Sequence, residues 1–516
     1  MKRIPASLFP PIALHSRSES PMYCQLYEWF RSAIVEGRMR PGQRVPSTRS
    51  LAAELEISRI PVYNAYEQLL AEGFFETFVG AGTCIARSIP REAIDLLEAH
   101  TSKPPKQIVA KLSPRRISQR ARILARGPEQ PWLKHFGAFR VSLPALEHFP
   151  TSVWSKLVAR HSRKPPRGIM SYGSPLGYRP FREAIAEYLS TVRGVRCEAS
   201  QVLVTTGSQQ GLQISAHALL DPHGRVLLEE PGYSGAHNAF ATSGARLIPV
   251  PVDHEGIDVP SVIRRGTKAQ AVYITPSHQY PTGVTMSATR RMLLLNWAAR
   301  SGAWIIEDDY DSEYRFESRP IASLQGMDSD ARVIYIGTFS KVMFPALRLG
   351  YLVIPKDLLA AFSAVREAAD ICSSTLYQAV LTDFICEGHF ARHIRRMRLL
   401  YAERRAALLK AIDVHMSDLL EVVGTDAGMH LLTLLPQGYD DVAVSKEAAA
   451  MGISAMPLSP CYLGTPTKSG LILGYGGATV QQIQDGICKL RVSIENSSQK
   501  SNSRAGESRY ASQLRA

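Results

Sequence analysis

A chain of 516 residues exceeds one typical domain, can bury a large core, and at a net charge of +14 suits a nucleic-acid partner. Its seven cysteines, at positions 24, 84, 197, 372, 386, 461 and 488, lack Cys-x-x-Cys or Cys/His metal spacing, which excludes a zinc finger and fits reduced thiols in a cytoplasmic protein. No apolar run reaches membrane-spanning length, no signal-peptide core opens the chain and no repeat is present, which excludes a helical membrane protein or a solenoid.

Residues 1–21 are expected to form an N-terminal arm and residues 22–87 the first folded domain. Across residues 22–36, Leu26, Phe30 and Ile34 recur at helical spacing, and Gly37 ends the run. Arg40-Pro41-Gly42-Gln43-Arg44-Val45-Pro46 is a basic turn, after which Ser47 caps a short helix through Leu51 and Leu55. Ser58 caps a third helix, with Val62, Ala65, Tyr66, Leu69 and Leu70 on its inward face. Pro61 falls in its first turn, where a missing N–H costs little. The outward face offers Arg59, Tyr63, Asn64 and Gln68, a cation and three groups able to reach bases or phosphates. Residues 74–79 and 83–86 then flank Gly80-Ala81-Gly82 as a β-hairpin wing. Such a module places its third helix in a major groove.

The runs Pro41-Gly42, Pro46-Ser47-Thr48-Arg49, Leu51-Ala52, Ser58-Arg59, Ala71-Glu72-Gly73 and Gly80-x-Gly82-Thr83 resemble the winged helix-turn-helix of the GntR family. That resemblance implies double-stranded operator DNA as partner, contacted by Arg44, Ser47, Thr48, Arg49, Arg59, Tyr63, Asn64, Gly82 and Thr83. Arg49 and Arg59 lead this set, because both sit in helix first turns where the dipole also favours phosphate.

Residues 88–133 read as a linker. Between Arg87 and Arg126 stand ten Lys or Arg against three acids, a net +7, together with Pro90, Pro104, Pro105 and Pro114. A solvated basic linker adds salt-sensitive phosphate attraction near DNA.

Residues 134–494 are expected to form the second domain. Val202-Leu203-Val204-Thr205-Thr206 is a β-branched strand entering Gly207-Ser208-Gln209-Gln210-Gly211 and an apolar helix from Leu212, the arrangement of an anion site at a helix N-terminus. The strand Val226-Leu227-Leu228-Glu229 delivers Glu230-Pro231-Gly232-Tyr233, a turn able to present a stacking ring. Ala271-Val272-Tyr273-Ile274-Thr275 runs into Pro276-Ser277-His278-Gln279-Tyr280-Pro281-Thr282-Gly283. Ala303-Trp304-Ile305-Ile306-Glu307 is a buried strand, and its period puts Asp308 and Tyr310 on one face. Last comes Gly337-Thr338-Phe339-Ser340-Lys341, with Arg348 seven positions on: an amine for an imine, with hydroxyls and a guanidinium suited to a phosphate. Each strand sends its loop to one sheet edge, where ligands of open α/β sheets bind.

These motifs together resemble a class I aminotransferase of pyridoxal-phosphate fold type I. The resemblance implies an α/β domain, a large mixed sheet with helices on both faces, and a smaller C-terminal α/β subdomain. It makes Lys341 the catalytic, Schiff-base lysine, Asp308 the pyridine-nitrogen partner, Tyr310 the ring-oxygen partner and Tyr233 the stacking ring. Ser208, Gln209, Thr338, Ser340 and Arg348 surround the phosphate, His278 touches the cofactor or a loop, and Tyr172 reaches a phosphate across a homodimer.

Two departures stand out. Tyr280 occupies the place where ordinary class I enzymes carry Asn, and Gly470-Leu471-Ile472-Leu473-Gly474-Tyr475 lacks their carboxylate-binding arginine. Arg140, Lys468 and Arg179 read either as effector contacts or as surface and helix-capping charges. Nearly the whole chain resembles the MocR/GabR-type transcriptional regulators, which implies an amine or amino-acid effector sensed by external aldimine formation at Lys341, with weak or no full transamination. An active aminotransferase carrying a DNA-binding module, and a sensor of pyridoxal phosphate itself, are the alternatives. Residues 495–516, rich in Ser, Asn, Gln and Arg, are expected to be a disordered tail.

Overall fold

The computed structural model describes residues 12, 14, 20–78, 82–87, 117–125, 131–133, 137–316, 322–424 and 427–513. Contacts divide the chain into two units, Met1–Arg116 and Ile117–Ala516.

In the first unit the periodic stripe does what its spacing dictates. Helix α1 (Met22–Val35) buries Leu26, Phe30, Ala33 and Ile34, and Gly37 leaves it at φ +68°. Helix α2 (Thr48–Glu54) starts at Ser47, whose Oγ accepts from the Ser50 N–H at 3.1 Å. Helix α3 (Arg59–Ala71) buries Val62, Ala65, Tyr66 and Leu69. Ser58 holds its N-cap position but makes no side-chain cap bond, so the expected capping is positional only. Strands β1 (Phe75–Phe78) and β2 (Gly82–Ile85) pair antiparallel, and the wing tip between them lies outside the described residues. Three rings lock the core edge to face: Phe30–Tyr66 at 5.6 Å, Phe30–Phe75 at 5.4 Å and Tyr66–Phe75 at 5.1 Å. Each such pair contributes about 0.5–1.5 kcal/mol beyond area burial. Ile12 and Leu14, from the expected arm, pack on the same core.

The second unit is built on an eight-stranded sheet. Its strands are β3 (Val202–Thr205), β4 (Arg225–Glu230), β5 (Arg246–Asp253), β6 (Gly256–Ile257), β7 (Ala271–Ile274), β8 (Trp304–Asp309), β9 (Val333–Thr338) and β10 (Gly350–Val353). They lie in the order β3-β10-β9-β8-β7-β4-β5-β6. The run from β9 to β5 is parallel, while β10 is antiparallel to both of its neighbours. Strands β3, β7 and β9 are buried at every residue, as coverage of both faces of this mixed sheet requires. The carboxyl ends of β3, β4, β7, β8 and β9 share one edge, so their loops converge there.

Strands β11 (Glu421–Val423), β12 (His430–Leu434), β13 (Met456–Pro457) and β14 (Gly470–Gly474) form a second, antiparallel sheet in the order β11-β12-β14-β13. Two segments differ from the composition-based expectation. In the stretch read as linker, residues Gln119–Ala125 are helical and Trp132 is 1% exposed, so its C-terminal part packs with the second unit. The final helix, Val480–Gln513, runs through the residues expected as a disordered tail. It is anchored by buried Ile483, Ile487, Leu490 and Ile494, and no proline follows to stop it. Among the described residues no helix is long and apolar enough to cross a membrane.

Candidate functional site

Where the strand ends converge, a cavity of about 160 Å³ opens. Its walls include Lys341, Asp308, Tyr310, Tyr233, Ser208, Gln209, Thr338, Ser340 and Arg348, nine residues that the sequence singles out. Asp308 is nearly the last residue of β8 and 4% exposed. Its Oδ2 accepts from Tyr273 Oη at 2.9 Å, while its Oδ1 is buried without a partner. Burial raises the carboxyl to about 7, with Asp309 adding, and the Tyr273 bond and Lys341 opposing.

Lys341 follows β9 in the loop whose hydroxyls pair with each other, Thr338 Oγ1 with Ser340 Oγ at 3.1 Å. Its Nζ donates to the Ser142 carbonyl at 3.5 Å. Burial and Arg348 push this amine down to about 8, against the pull of Asp311 and Asp308. The anion cradle begins one turn earlier than expected, because the helix starts at Ser208 instead of Leu212. Gly207 precedes it at φ +80°, and a Cβ there would stand 2.8 Å from a terminal nitrogen of Arg348. Arg348 itself donates to the Thr206 carbonyl at 3.1 Å, which parks the guanidinium across the helix N-terminus.

Tyr310 is held from behind. Its Oη donates to the His278 carbonyl at 3.0 Å and lies 3.0 Å from His278 Nδ1, which stands 3.2 Å from both Asp311 oxygens. His278 is not among the residues lining this cavity. It packs behind the tyrosine, with buried His430 4.8 Å away between ring centres. Gln279 ties the neighbouring turns, donating to the Pro231 carbonyl at 2.9 Å and to buried Glu229 at 3.3 Å. Glu230 accepts from the backbone N–H groups of Leu463 and Gly464, and Gly232 N–H donates to the Cys461 carbonyl at 2.8 Å.

Tyr172 is 82% exposed and not among the cavity walls. Arg140, Lys468 and Arg179 do not line the cavity either, and Arg179 pairs with Glu183 at 2.9 Å. Sequence reading missed Ser142, Tyr273 and Thr275 as walls, and Asp311 and His430 behind them. One signal was available: the hydroxyl of Tyr273 sits in an otherwise apolar buried strand and had to find a partner.

In the first unit, Arg44, Ser47, Arg49, Arg59, Tyr63, Asn64 and Gly82 are exposed, and Thr48 and Thr83 half-buried. Arg59 Nε donates to Thr48 Oγ1 at 3.1 Å, which joins the starts of α2 and α3. The Ser47 hydroxyl oxygen accepts the cap bond of α2, and its O–H stays available to donate.

A fold-type I sheet whose edge carries a lysine, an opposing buried carboxylate and a phosphate cradle defines a pyridoxal-phosphate domain of the aminotransferase class. Residues 145–472 match the family of aminotransferases class I and II, and residues 22–85 match the bacterial regulatory proteins of the gntR family. The chain belongs to the MocR-type regulators, in which these two parts are joined. It is 38% identical to the probable rhizopine catabolism regulatory protein MocR of Rhizobium meliloti, over 93% of this chain and 95% of that one. Against the pyridoxine biosynthesis transcriptional regulator PdxR of Corynebacterium glutamicum the identity is 29%, over 90% and 94% of the two chains. Among solved structures it is similar to LysN, the α-aminoadipate aminotransferase of Thermus thermophilus (28% identity, TM-score 0.65), covering 73% of this chain and 95% of that one.

The residues present fit pyridoxal phosphate. The unmet Asp308 oxygen needs a donor, which a protonated ring nitrogen is, and the Ser208 helix start with Arg348 beside Gly207 suits a dianion.

Proposed function

We propose that this transcriptional regulator senses a primary amine through pyridoxal phosphate held at Lys341, and that the response repositions its winged modules on operator DNA. The observation that carries this is the convergence of Lys341, Asp308 and Tyr310 on one cavity in a chain that also bears a gntR module. Bound there, the cofactor supplies an aldehyde carbon that passes from one primary amine to another. Asp308 keeps a proton on the ring nitrogen, Tyr310 serves the ring oxygen, and Tyr233 gives the ring a flat face. Ser208, Gln209, Thr338, Ser340 and Arg348 hold the phosphate, and Tyr172, exposed, is offered to the partner in a cytoplasmic homodimer. A dimer implies paired operator half-sites at fixed spacing. On the DNA side Arg49 and Arg59 lead, with Arg44, Ser47, Thr48, Tyr63, Asn64, Gly82 and Thr83.

The test is an absorbance spectrum with pyridoxal phosphate for the wild type and Lys341→Ala, followed by operator binding with and without an amine. A visible band lost in the variant, and an operator affinity that changes with the amine, support the reading. No band in either protein reduces the domain to a dimerisation scaffold, and a response to the vitamer alone makes it a vitamer sensor. The retained Lys341, Asp308 and Tyr310 also favour a second reading, an active aminotransferase, which sustained turnover of amino acids with 2-oxoacids would establish.

A further inference from the structure

The ionic inventory of the Lys341 cavity constrains what can enter it. Among the described residues lining it, the cations are Lys341 and Arg348 and the single acid is Asp308. All three have tasks with the cofactor, at the amine, the phosphate and the ring nitrogen. The rest of the described wall is hydroxyl, amide and aromatic, with Pro345. Tyr280 stands edge to face with Tyr233 at 5.6 Å and with Tyr310 at 6.2 Å. Behind it lies an apolar cluster of Leu432, Leu458, Cys461 and Ile472, each at most 3% exposed. The Tyr280 hydroxyl donates to Met456 Sδ at 3.3 Å. His430, packed on Tyr280 with ring centres 5.4 Å apart, is held neutral by burial, which pushes it down to about 3.

We propose that the effector is a primary amine whose remaining body carries no carboxylate, recognised at Tyr280, the tyrosine of this wall that has no task at the cofactor. This rests on the amine-sensing reading above. A carboxylate entering here would lose its water and meet no uncommitted cation among the described residues of the wall, and burying a charge without a partner is strongly unfavourable. An arriving ammonium meets the Tyr280 ring, and aromatic rings attract cations. The exchange itself balances: the effector nitrogen takes the carbon held by Lys341, and its two protons end on the departing lysine amine. Nothing in that step calls for a carboxylate.

The experiment titrates the visible band of the full-length, pyridoxal-phosphate-loaded protein with pairs that differ only by a carboxylate. The probes are phenethylamine against L-phenylalanine, and ethanolamine against L-serine, with operator binding measured in parallel. The decarboxylated member of at least one pair should shift the band at a concentration roughly a hundredfold below its amino-acid counterpart, the discrimination expected for an unpaired buried charge. Amino acids that act at equal or lower concentration than their amines overturn the proposal while leaving amine sensing intact. A stable band that no probe perturbs overturns both.

Discussion

Replacing Arg193 by methionine removes the cation from a buried pair that lies directly beneath the cofactor-facing carboxylate. Arg193 Nε stands 2.8 Å from Asp309 Oδ2, and both side chains are 2% exposed. The guanidinium also donates to Ser277 Oγ at 3.0 Å, and Tyr335 Oη donates to the same Asp309 oxygen at 2.5 Å. Burial works against the guanidinium's charge, but Asp309 and Tyr335 outweigh it and leave its pKa above the ordinary arginine value. Without Arg193, Asp309 keeps the Tyr335 hydrogen bond but loses its ion-pair partner, a loss of about 3–5 kcal/mol. That is a large part of the roughly 5–15 kcal/mol that holds a typical protein folded. Asp308 feels it too, since Asp309 is already one of the groups raising its pKa. The assay is urea unfolding followed by tryptophan fluorescence, at matched subunit and cofactor concentrations. The double replacement Arg193→Met/Asp309→Leu removes both charges and should recover most of the loss, because an apolar pair of similar volume replaces a buried ion pair at little cost. A single variant that loses under about 1 kcal/mol, or a double variant no better than the single, would refute the reasoning.

Cofactor capture should depend on pH through Lys341. Its depressed folded-state pKa, about 8, makes the amine nucleophilic above that pH and an inert ammonium below it. The rate at which the apo protein develops the visible band should therefore rise through pH 8, and an inflection near 10 would contradict the burial argument. Gly207→Ala forces a Cβ to within 2.8 Å of Arg348 at a positive φ, so pyridoxal phosphate should bind at least about tenfold more weakly, measured by fluorescence quenching. Arg59→Ala should lower the slope of log affinity against log salt by about one for operator and non-specific DNA alike, and an unchanged slope would remove Arg59 from the phosphate contacts.

Much of this site could be read from the chain because its parts are local. Lys341 with its hydroxyls, the Asp308/Tyr310 alternation and the Gly207-Ser208 helix start each occupy one short segment whose backbone geometry follows from composition. The helical stripe of Leu26, Phe30 and Ile34 is of the same kind. What escaped is long-range. Tyr273 meets Asp308 across neighbouring strands, 35 residues apart, and His430 reaches the Pro281 carbonyl over 149 residues. Neither separation has a period. His278 was left between two readings for a related reason: its segment is local, but its neighbours Asp311 and His430 come from elsewhere in the chain. Ser58 shows the limit of capping rules, since the right residue stands at the right position without making the bond.

The ties at Glu230 and Gly232 join the end of β4 to the 461–464 turn that precedes β14. Tyr233, the wall that faces the cofactor ring, is the next residue along. A displacement of the small sheet therefore reaches that ring as traction on a backbone splint, and so does the reverse. A ligand that tilts the tyrosine has a mechanical lever on the C-terminal subdomain, with no need to touch it.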